Sequence, residues 1–445
     1  MFVGCGVNRN VSVNGEIAFV NVSVLTMEDE RVLEHQTVVV DNGRIALIGR
    51  TDEVTLAEDV EVIEAAGQYL MPGLTEMHGH LPNPQMSDTD VQNILFLYLA
   101  KGVTTVRGMQ GHPSQFDIRD QITRGVLLGP NLYLASVAIT GRRVSTPELA
   151  EQLVREYKVQ GYDLVKVLEG LSRETYDTVA RTAIEVGIPF AGHVPDRVGL
   201  LHALSSGQIS IDHLDNYIEA LVPDADQPEE WPGIGRESVI LESVDESLIP
   251  DIVDATLDAG AWVVPTMVLW ETGILSTRPA MAVLSDRPEV QYVHPEMVNR
   301  WIQGVESNLS NGDVETNQRL AALRRTVLRA LYKGGVNIAL GTDSPQTFSV
   351  PGFSVHREMQ LYADIGMTPY DILEIGTRKP AEYFGATREF GMVAVGRRAD
   401  LILLTANPLE DIANAEEQAG VMVGGRWLSN KEIRQRLEAI AIHYG

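Results

Sequence analysis

The apolar residues at the two ends of this chain alternate with polar ones. Near the start, EIAFVNVSVLTM (16–27) alternates, and HQTVVVDNGRIALIG (35–49) places Asp41, Asn42 and Gly43 between two apolar runs. Near the end, GMVAVGRRADLILLTANP (391–408) and AGVMVGGRWLS (419–429) repeat this pattern with Gly-rich turns. Alternation with a period of two predicts half-buried strands, and Asn-Gly between two apolar runs predicts a hairpin.

The middle of the chain has a different pattern, in which short apolar segments alternate with helical ones. The apolar segments are 73–80, 104–108, 132–136, 163–168, 189–194, 208–214, 262–267 and 337–344. This alternation is typical of a parallel sheet, and eight such units suit a closed (β/α)8 TIM barrel in an α/β protein. The alternative is an open doubly wound sheet, which needs a switch point and usually a Gly-rich phosphate loop. The sequence shows neither feature.

Two of the predicted helices have recognisable ends. The first has Thr146 as its N-cap, Pro147 in its first turn and Gly161 after its last turn. The second extends from Ser172 to Gly187. A hydroxyl residue before the helix and a glycine after it are common helix boundaries, so both segments are predicted to be helices between strands.

Two connections in the middle region are unusually long. Residues 215–260 follow the sixth predicted strand, and they include the polar segment DADQPEEWPGIGRE (224–237). Residues 268–335 follow the seventh strand and are mostly helical by pattern, so we expect them to form a lid. In a barrel such loops lie at the C-terminal face of the strands, where active sites are built.

Charge and cysteine content exclude several classes of function. The formal net charge is −26, which argues against nucleic acid or an anionic membrane as a partner, because both require a basic surface. Cys5 is the single cysteine, which excludes an intramolecular disulfide and disfavours a cysteine metal site. No apolar run reaches the length of a membrane span.

The N-terminal residues leave the cellular compartment open. Residues 1–6 are too short to hold the apolar core of a signal peptide. FVGC (2–5) resembles the end of a lipoprotein signal. The sequence is therefore compatible with a cytoplasmic protein, or with a periplasmic or lipoprotein form.

Candidate chemistry starts in LMPGLTEMHGHLPNP (70–84), which holds His78 and His80 at the end of an apolar strand. Residues two apart on a strand point to the same side, so both imidazoles are expected to face one point. Other predicted strands also end in polar residues: Lys166 (fourth), His193 (fifth), His213 (sixth) and Asp343 (eighth). In a barrel, all of these strand ends surround one mouth.

Lys166 is the unusual member of this group, because DLVKVLEG (163–170) surrounds it with apolar residues. A buried, unpaired ammonium group is costly and tends to lose its proton. One outcome is a salt bridge with a neighbouring acid. The other is reaction of the neutral amine with CO2 to give a carbamate, a carboxylate able to bridge two cations. We favour the carbamate, because it supplies negative charge beside four imidazoles.

Imidazole nitrogen and carboxylate oxygen without thiolate are ligands that suit Zn2+, with Mn2+, Co2+ or Fe2+ as alternatives. Metal ions with room for water would generate hydroxide near neutral pH and polarise a carbonyl group. The sequence therefore predicts a metal-dependent hydrolase.

These motifs resemble the amidohydrolase superfamily over nearly the whole chain. The matching segments are MPGLTEMHGH, in which Glu76 replaces the usual Asp, and VKV, GHV, DHL, GTDSP and GMVAVGRRADLILLTANP. The most similar branch is the imidazolonepropionase-related group with lysine-bridged Xaa-Pro dipeptidases. True imidazolonepropionases bind one metal and lack the bridging lysine, so Lys166 argues against that activity.

The resemblance implies a binuclear centre. His78, His80 and Asp343 would bind the more buried ion, and His193 and His213 would bind the second. Carboxylated Lys166 and a hydroxide would bridge the two ions, most simply Zn2+. The implied reaction is hydrolysis of an amide-type C–N bond in a dipeptide or an N-acyl amino acid, with Asp343 moving the proton to the leaving nitrogen.

The resemblance also implies the domain organisation. A small β-sandwich would be built from residues 1–70 and from 391–445, which end in a helix. Residues 71–390 would form the metal-dependent barrel. We also expect a homo-oligomer that acts on a small-molecule substrate.

Substrate contacts are expected from residues beyond the metal ligands. Tyr217 and either Arg142 or Arg143 are candidates to bind a substrate carboxylate, and Trp270 is a candidate wall of an apolar pocket. For Arg107 we prefer a structural salt bridge. Hydrolysis of a lactone, carbamate, cyclic amide or phosphotriester on the same centre is the alternative activity. A non-enzymatic binding protein is disfavoured, because no ligand is missing.

Overall fold

The structure is a computed structural model that describes residues 11–223, 225, 227, 231, 236–271, 284–311 and 313–445. For 11, 12 and 308–311 it describes the backbone alone. Cys5 and FVGC lie outside the described residues, as does most of the polar segment 224–237.

Eighteen strands and fourteen helices are assigned within these ranges. The strands are β1 (Val11–Val13), β2 (Ile17–Leu25), β3 (Val32–Asp41), β4 (Arg44–Arg50), β5 (Val54–Leu56), β6 (Glu61–Glu64), β7 (Tyr69–Pro72), β8 (Leu74–Gly79), β9 (Val103–Gly108), β10 (Asn131–Leu134), β11 (Val165–Val167), β12 (Phe190–Gly192), β13 (Ser210–Asp212), β14 (Trp262–Val264), β15 (Asn337–Ile338), β16 (Leu401–Leu404), β17 (Gln418–Val423) and β18 (Arg426–Ser429). The helices are α1 (Asp88–Ala100), α2 (Gln115–Thr123), α3 (Pro147–Gln160), α4 (Arg173–Val186), α5 (Leu200–Ser205), α6 (Arg236–Ser243), α7 (Ile249–Asp258), α8 (Met267–Leu269), α9 (Pro295–Asn311), α10 (Val314–Lys333), α11 (Phe353–Asp364), α12 (Pro369–Gly376), α13 (Arg378–Tyr383) and α14 (Asn430–Tyr444).

The chain divides into two compact units. The first contains Met1–Leu74, Leu99–Thr104 and Pro369–Arg436, and the second contains Thr75–Tyr98, Thr105–Thr368 and Leu437–Gly445. The first unit is β-rich and joins both ends of the chain in one eight-stranded sheet. Its strand order is β18-β17-β16-β7-β2-β3-β4, with β6 also paired to β2, and β1 and β5 form a separate two-stranded sheet.

The eight-stranded sheet buries apolar side chains on both faces, which explains its alternating sequence. Phe19 pairs with Val38 in the β2–β3 ladder, and both belong to one buried cluster. Ala18 pairs with Val39, and these two belong to a second cluster with Val60. Successive residues of a strand point to opposite faces, so each of these strands contributes to two cores. The hairpin between β3 and β4 is confirmed.

The second unit contains parallel strands and helices. Its strands form a three-stranded sheet, β10-β9-β8, and a five-stranded sheet, β11-β12-β13-β14-β15. The described strands therefore form two sheets and are not continuous around one closed ring. Isolated parallel bridges lie at both seams, between Ala135 and Leu164 and between Gly79 and Ser344. The predicted α/β class with a parallel sheet is confirmed.

Each of the eight predicted strands overlaps an observed one, although most observed strands are shorter. The largest difference is at the eighth, where the strand comprises only Asn337–Ile338. Beyond it the backbone still bonds to β8: Met77 N donates to Leu340 O (2.8 Å) and Asp343 N donates to His78 O (2.7 Å). These bonds bring Asp343 beside the histidines of β8.

Helices α3 and α4 have the predicted ends. Thr146 accepts a hydrogen bond from Leu149 N, and Ser172 accepts one from Thr175 N. Gly161 (φ 86°) and Gly187 (φ 67°) end the two helices in the left-handed conformation, which glycine adopts without steric cost. α3 precedes β11, which carries Lys166, and α4 connects β11 to β12, which is followed by His193.

The two long connections contain helices. The first includes α6 and α7, and the second includes α9 and α10, as its pattern predicted. Among the helices of the described residues, none combines the length and apolar character needed to cross a lipid bilayer.

Candidate metal centre

Three histidine rings from three strand ends lie in a row. The ring centroids of His78 and His213 are 4.5 Å apart, and those of His213 and His193 are 4.6 Å apart. His78 and His213 are buried, whereas the side chain of His193 is 23% exposed. The row therefore extends from the interior toward solvent.

Asp343 lies beside the inner end of this row. Its Oδ1 is 2.8 Å from His80 Nε2 and 3.5 Å from His78 Nε2, and its Oδ2 is 4.0 Å from His213 Nε2. One ligand atom from each of His78, His213 and Asp343 lies within 4.8 Å of the others. The structure thus brings the predicted donors of three strands to one point.

Sharp backbone turns at the strand ends set these directions. His213 (φ 64°), Leu214 (φ 53°) and Asn216 (φ 60°) follow β13 in the left-handed region, and Asp343 has φ 62°. Such conformations are uncommon for residues other than glycine and are concentrated at functional sites.

Lys166 lies within the same group and is 2% exposed. Its Nζ is 3.5 Å from His78 Nε2 and 3.6 Å from Asp212 Oδ2. Burial lowers the pKa of Lys166 from its ordinary value, although Asp212 and Asp343 oppose this effect. A lower pKa favours the neutral amine, which is the form that reacts with CO2.

Asp212 is a site residue that sequence reasoning missed. Its Oδ2 is 2.9 Å from His78 Nδ1, and its Oδ1 is 3.0 Å from Arg107, which is fully buried. Ser210 donates to the same Oδ1 (3.2 Å). Burial raises the pKa of Asp212, but Arg107 and His78 outweigh it and hold the pKa well below its usual range. The available signal was the polar pair Ser210 and Asp212, two apart on an apolar strand; the salt-bridge interpretation of Arg107 is confirmed.

Each histidine of the row contacts a neighbour through Nδ1. His78 Nδ1 faces Asp212, His213 Nδ1 lies 2.8 Å from Thr266 Oγ1, and His193 Nδ1 lies 2.7 Å from Asp215 Oδ2. In metal sites, such contacts fix the tautomer and the orientation of a ligating ring. They leave Nε2 of each ring available as a metal ligand.

Thr266 has a second constraint, because its own backbone is left-handed (φ 47°) at the start of α8. Buried Glu358 accepts hydrogen bonds from the next two amides, Met267 N (2.8 Å) and Val268 N (2.6 Å). The carboxylate therefore fixes the turn that presents Thr266 to His213.

Replacing Thr266 with valine is expected to weaken metal binding by about 10- to 100-fold, because His213 loses the partner that orients its ring. Valine keeps the size and β-branching of threonine, so the substitution should not change the strain of the left-handed backbone at this position. Thr266→Ser is the matched control, since it keeps the hydroxyl. Competition with a metal chelator measures the affinity; equal affinities for the Val variant and the wild type would show that Thr266 does not orient His213.

Glu76 replaces the Asp that is usual in the motif, and it joins two segments that carry donors. Its Oε1 accepts from His78 N (2.9 Å) and Thr342 N (2.8 Å), and its Oε2 accepts from Thr342 Oγ1 (2.5 Å). Burial raises the pKa of Glu76 to about 7. The replacement of the usual Asp by Glu76 therefore keeps a carboxyl group between His78 and Asp343.

A cavity of about 860 Å³ lies beside His193, which does not line it but contacts two acids that do. Glu169 and Asp215 line it, and both face His193 Nδ1, at 3.9 Å and 2.7 Å. Burial and the nearby charge of Asp215 raise the pKa of Glu169 to about 8. Neither acid was singled out from the sequence, because both follow strands in segments that read as ordinary polar loops.

The structure separates the four predicted substrate residues. Trp270 lines the cavity. Arg142 and Arg143 are exposed, and neither lines this cavity. Tyr217 is fully buried, and its hydroxyl lies 3.1 Å from Thr256 Oγ1. Tyr217 does not line the cavity, so the structure gives no support to its predicted contact with a substrate carboxylate.

The donor set fits divalent metal ions. Asp343 Oδ1 is buried and accepts no hydrogen bond from the residues that the structure describes, although His80 Nε2 is 2.8 Å away. A buried acceptor without a hydrogen-bond partner is suited to binding a metal ion. Nitrogen and oxygen donors without sulfur match Zn2+ and similar ions. The parallel strands and these donors define a candidate metal centre in an α/β protein.

Comparison with known proteins gives the family. The model of the amidohydrolase family matches residues 69–428. The chain therefore belongs to the amidohydrolase family, and the predicted resemblance is confirmed.

Individual relatives are distant. Adenine deaminase 3 of Rhizobium meliloti is 23% identical over 403 residues, which cover 89% of this chain and 55% of that protein. The chain spans about half the length of the adenine deaminases that it matches across most of its own length. Among solved structures, a bottromycin amidohydrolase has a TM-score of 0.73 at 23% identity and covers 95% of this chain and 90% of its own. A putative prolidase from Bifidobacterium longum has a TM-score of 0.68 at 22% identity, with coverages of 96% and 99%. These similarities show a shared fold.

Proposed function

We propose that this chain hydrolyses an amide-type C–N bond in a dipeptide or an N-acyl amino acid. The observation that carries the proposal is Lys166, buried among the histidine and aspartate donors with Nζ 3.5 Å from His78 Nε2. A lysine at this place supplies a bridging group once it reacts with CO2. The solved structure named as a putative prolidase supports the choice of a peptide-like substrate.

The proposed centre holds two divalent ions, most simply Zn2+. The inner ion would be held by His78, His80 and Asp343. The outer ion would be held by His193 and His213, and carbamylated Lys166 would contact both ions. When bound, such ions would polarise the scissile carbonyl and lower the pKa of the attacking water.

The residues of the chain then have defined tasks. Asp343 accepts the proton of the attacking water and delivers it to the leaving nitrogen, as a general base and then a general acid. Gln346 Nε2 donates to Asp343 Oδ2 (3.2 Å) and holds the carboxylate in place. Asp212, Thr266 and Asp215 keep the three imidazoles oriented through Nδ1. The cavity beside His193 receives the substrate.

Three further parts of the sequence analysis remain proposals. We propose that the two parallel sheets are the two arcs of a (β/α)8 barrel, supported by the bridges at both seams. We propose the domain division 1–70, 71–390 and 391–445, with the two end segments forming a β-sandwich. A homo-oligomer stays a prediction.

A hydrolysis screen tests the proposed reaction. Zinc-loaded enzyme is incubated with dipeptides, N-acyl amino acids, lactones, carbamates and a phosphotriester, and the products are separated by mass spectrometry. Asp343→Asn protein prepared in parallel is the control against contaminating hydrolases. Turnover confined to the amide substrates supports the proposal, whereas turnover of only the esters, carbamates or phosphotriester would contradict it.

A further inference from the structure

The cavity beside His193 is lined by a buried cation that forms no salt bridge with any residue that the structure describes. Arg324, on α10, is 4% exposed and lines the cavity. Its guanidinium donates one hydrogen bond to the carbonyl oxygen of His213. In the described part of the chain, no carboxylate lies within 4.0 Å of it. Burial lowers the pKa of Arg324 to about 10, although nearby carboxylates such as Asp215 and Glu219 oppose this effect.

Trp270 is stacked against this cation. The Arg324 Cζ atom lies 3.8 Å from the centroid of the Trp270 ring, a distance typical of a strong cation–π contact. Two donors of this pair, Arg324 Nε and Trp270 Nε1, are buried and make no hydrogen bond with any described residue. Buried donors normally have an acceptor, so this pair of groups is incomplete without a ligand.

The other charges of the cavity narrow the identity of that ligand. Three other arginines line the cavity: Arg173 and Arg197 are exposed, and Arg236 is paired with Asp196 (2.7 Å) and Glu219 (2.7 Å). The carboxylate of Asp215 also lines the cavity, and its charge disfavours a multiply charged anion such as phosphate more than a singly charged one. A singly charged, planar group with two acceptor oxygens matches the fork of an arginine.

We propose that Arg324 and Trp270 form the binding site for the carboxylate of the substrate. The site lies next to the reacting centre, because Arg324 bonds to the backbone of His213 and the cavity continues to the acids that face His193. The substrate is thus anchored by a free carboxylate at this pair while its amide bond lies at the metal ligands. The carboxylate site itself is independent of the proposed function. Only the identity of the bound molecule, an amide substrate, rests on the proposed function.

Binding of two small probes tests this site without requiring turnover. Benzoate and its neutral isostere benzamide are titrated into zinc-loaded protein by calorimetry. We expect wild type to bind benzoate more tightly than benzamide. Arg324→Met should weaken benzoate binding by about 10- to 100-fold, the usual effect of losing hydrogen bonds to a charged group, and leave benzamide nearly unchanged.

Control variants separate recognition from folding. Arg325→Met removes the neighbouring cation of the same helix, which pairs with Glu271, and should leave both affinities unchanged. Trp270→Phe keeps a ring under Arg324 but loses the Nε1 donor, so benzoate affinity should fall while benzamide affinity is kept. If Arg324→Met does not fold by circular dichroism, Arg324→Lys and Trp270→Phe give the answer through the benzoate-to-benzamide ratio, which should fall in both.

Two results would overturn the proposal. One is benzoate binding of wild-type strength in the folded Arg324→Met protein, which would place the carboxylate on the metal ions or elsewhere. The other is equal affinity of the wild type for benzoate and benzamide. Failure of the hydrolysis screen together with the expected probe binding would instead reject the proposed reaction and keep the carboxylate site.

Discussion

Replacing Asp343 with asparagine is expected to lower kcat by about 10²- to 10⁴-fold, the usual contribution of a positioned acid–base group. Asparagine has nearly the same shape and keeps one oxygen, but it cannot take up the proton of the attacking water. Because the proton moves only during the chemical step, KM should change much less than kcat. Steady-state kinetics on the substrate found in the screen measure both constants.

Gln346→Ala is the matched control for Asp343→Asn. It removes the hydrogen bond to Asp343 Oδ2 and keeps the carboxylate, so a smaller loss of kcat is expected. Near-normal turnover of Asp343→Asn at full metal occupancy would remove Asp343 from the mechanism.

Lys166→Ala should lose at least one metal ion and nearly all activity. The methyl group of alanine leaves a space where the proposed carbamate would bridge two ions, because Lys166 Nζ lies 3.5 Å from His78 Nε2 and 3.6 Å from Asp212 Oδ2. A small carboxylate that enters this space would replace the missing bridge. Addition of acetate or propionate at high concentration should therefore restore part of the metal content and part of the activity.

Acetamide is the control for this rescue, because it has the size of acetate but no charge. Restoration by acetamide would indicate that the variant suffers from lost volume alone. A Lys166→Ala protein that retains both ions would contradict the bridging role and favour the salt bridge with Asp212.

Much of the fold could be predicted from the sequence, because two hydrophobic patterns are distinct. Apolar and polar residues alternate at the chain ends, whereas short apolar segments alternate with helical ones in the middle. Alternation at the chain ends gave β2 and β3, and helix boundaries such as Thr146 and Gly161 lie where the pattern places them. Strand ends were less predictable. The eighth strand ends at Ile338, because the later residues bond to β8 through irregular backbone rather than as a regular ladder. Local patterns do not specify such long-range pairing.

Site residues could be predicted where their type is unusual for its surroundings, and they were missed where their type is common in this chain. Two histidines in an apolar strand or a lysine among valines stand out, and the structure brings His78, His213 and Lys166 together. Asp212 and Asp215 did not stand out in an acidic chain, because their roles depend on partners such as Arg107 that are distant in sequence. Tyr217 was chosen for its distance along the chain from His213, which does not reveal that its side chain is fully buried.

Elemental analysis of the purified, zinc-supplied protein tests the central claim most directly. The donors at five strand ends, with Lys166 among them, predict about two divalent ions per chain, and dialysis against a chelator should remove activity that returns in step with re-added zinc. Mass spectrometry of the intact chain under non-denaturing conditions counts the ions. A protein that is fully active with one ion and gains nothing from a second would contradict the binuclear centre.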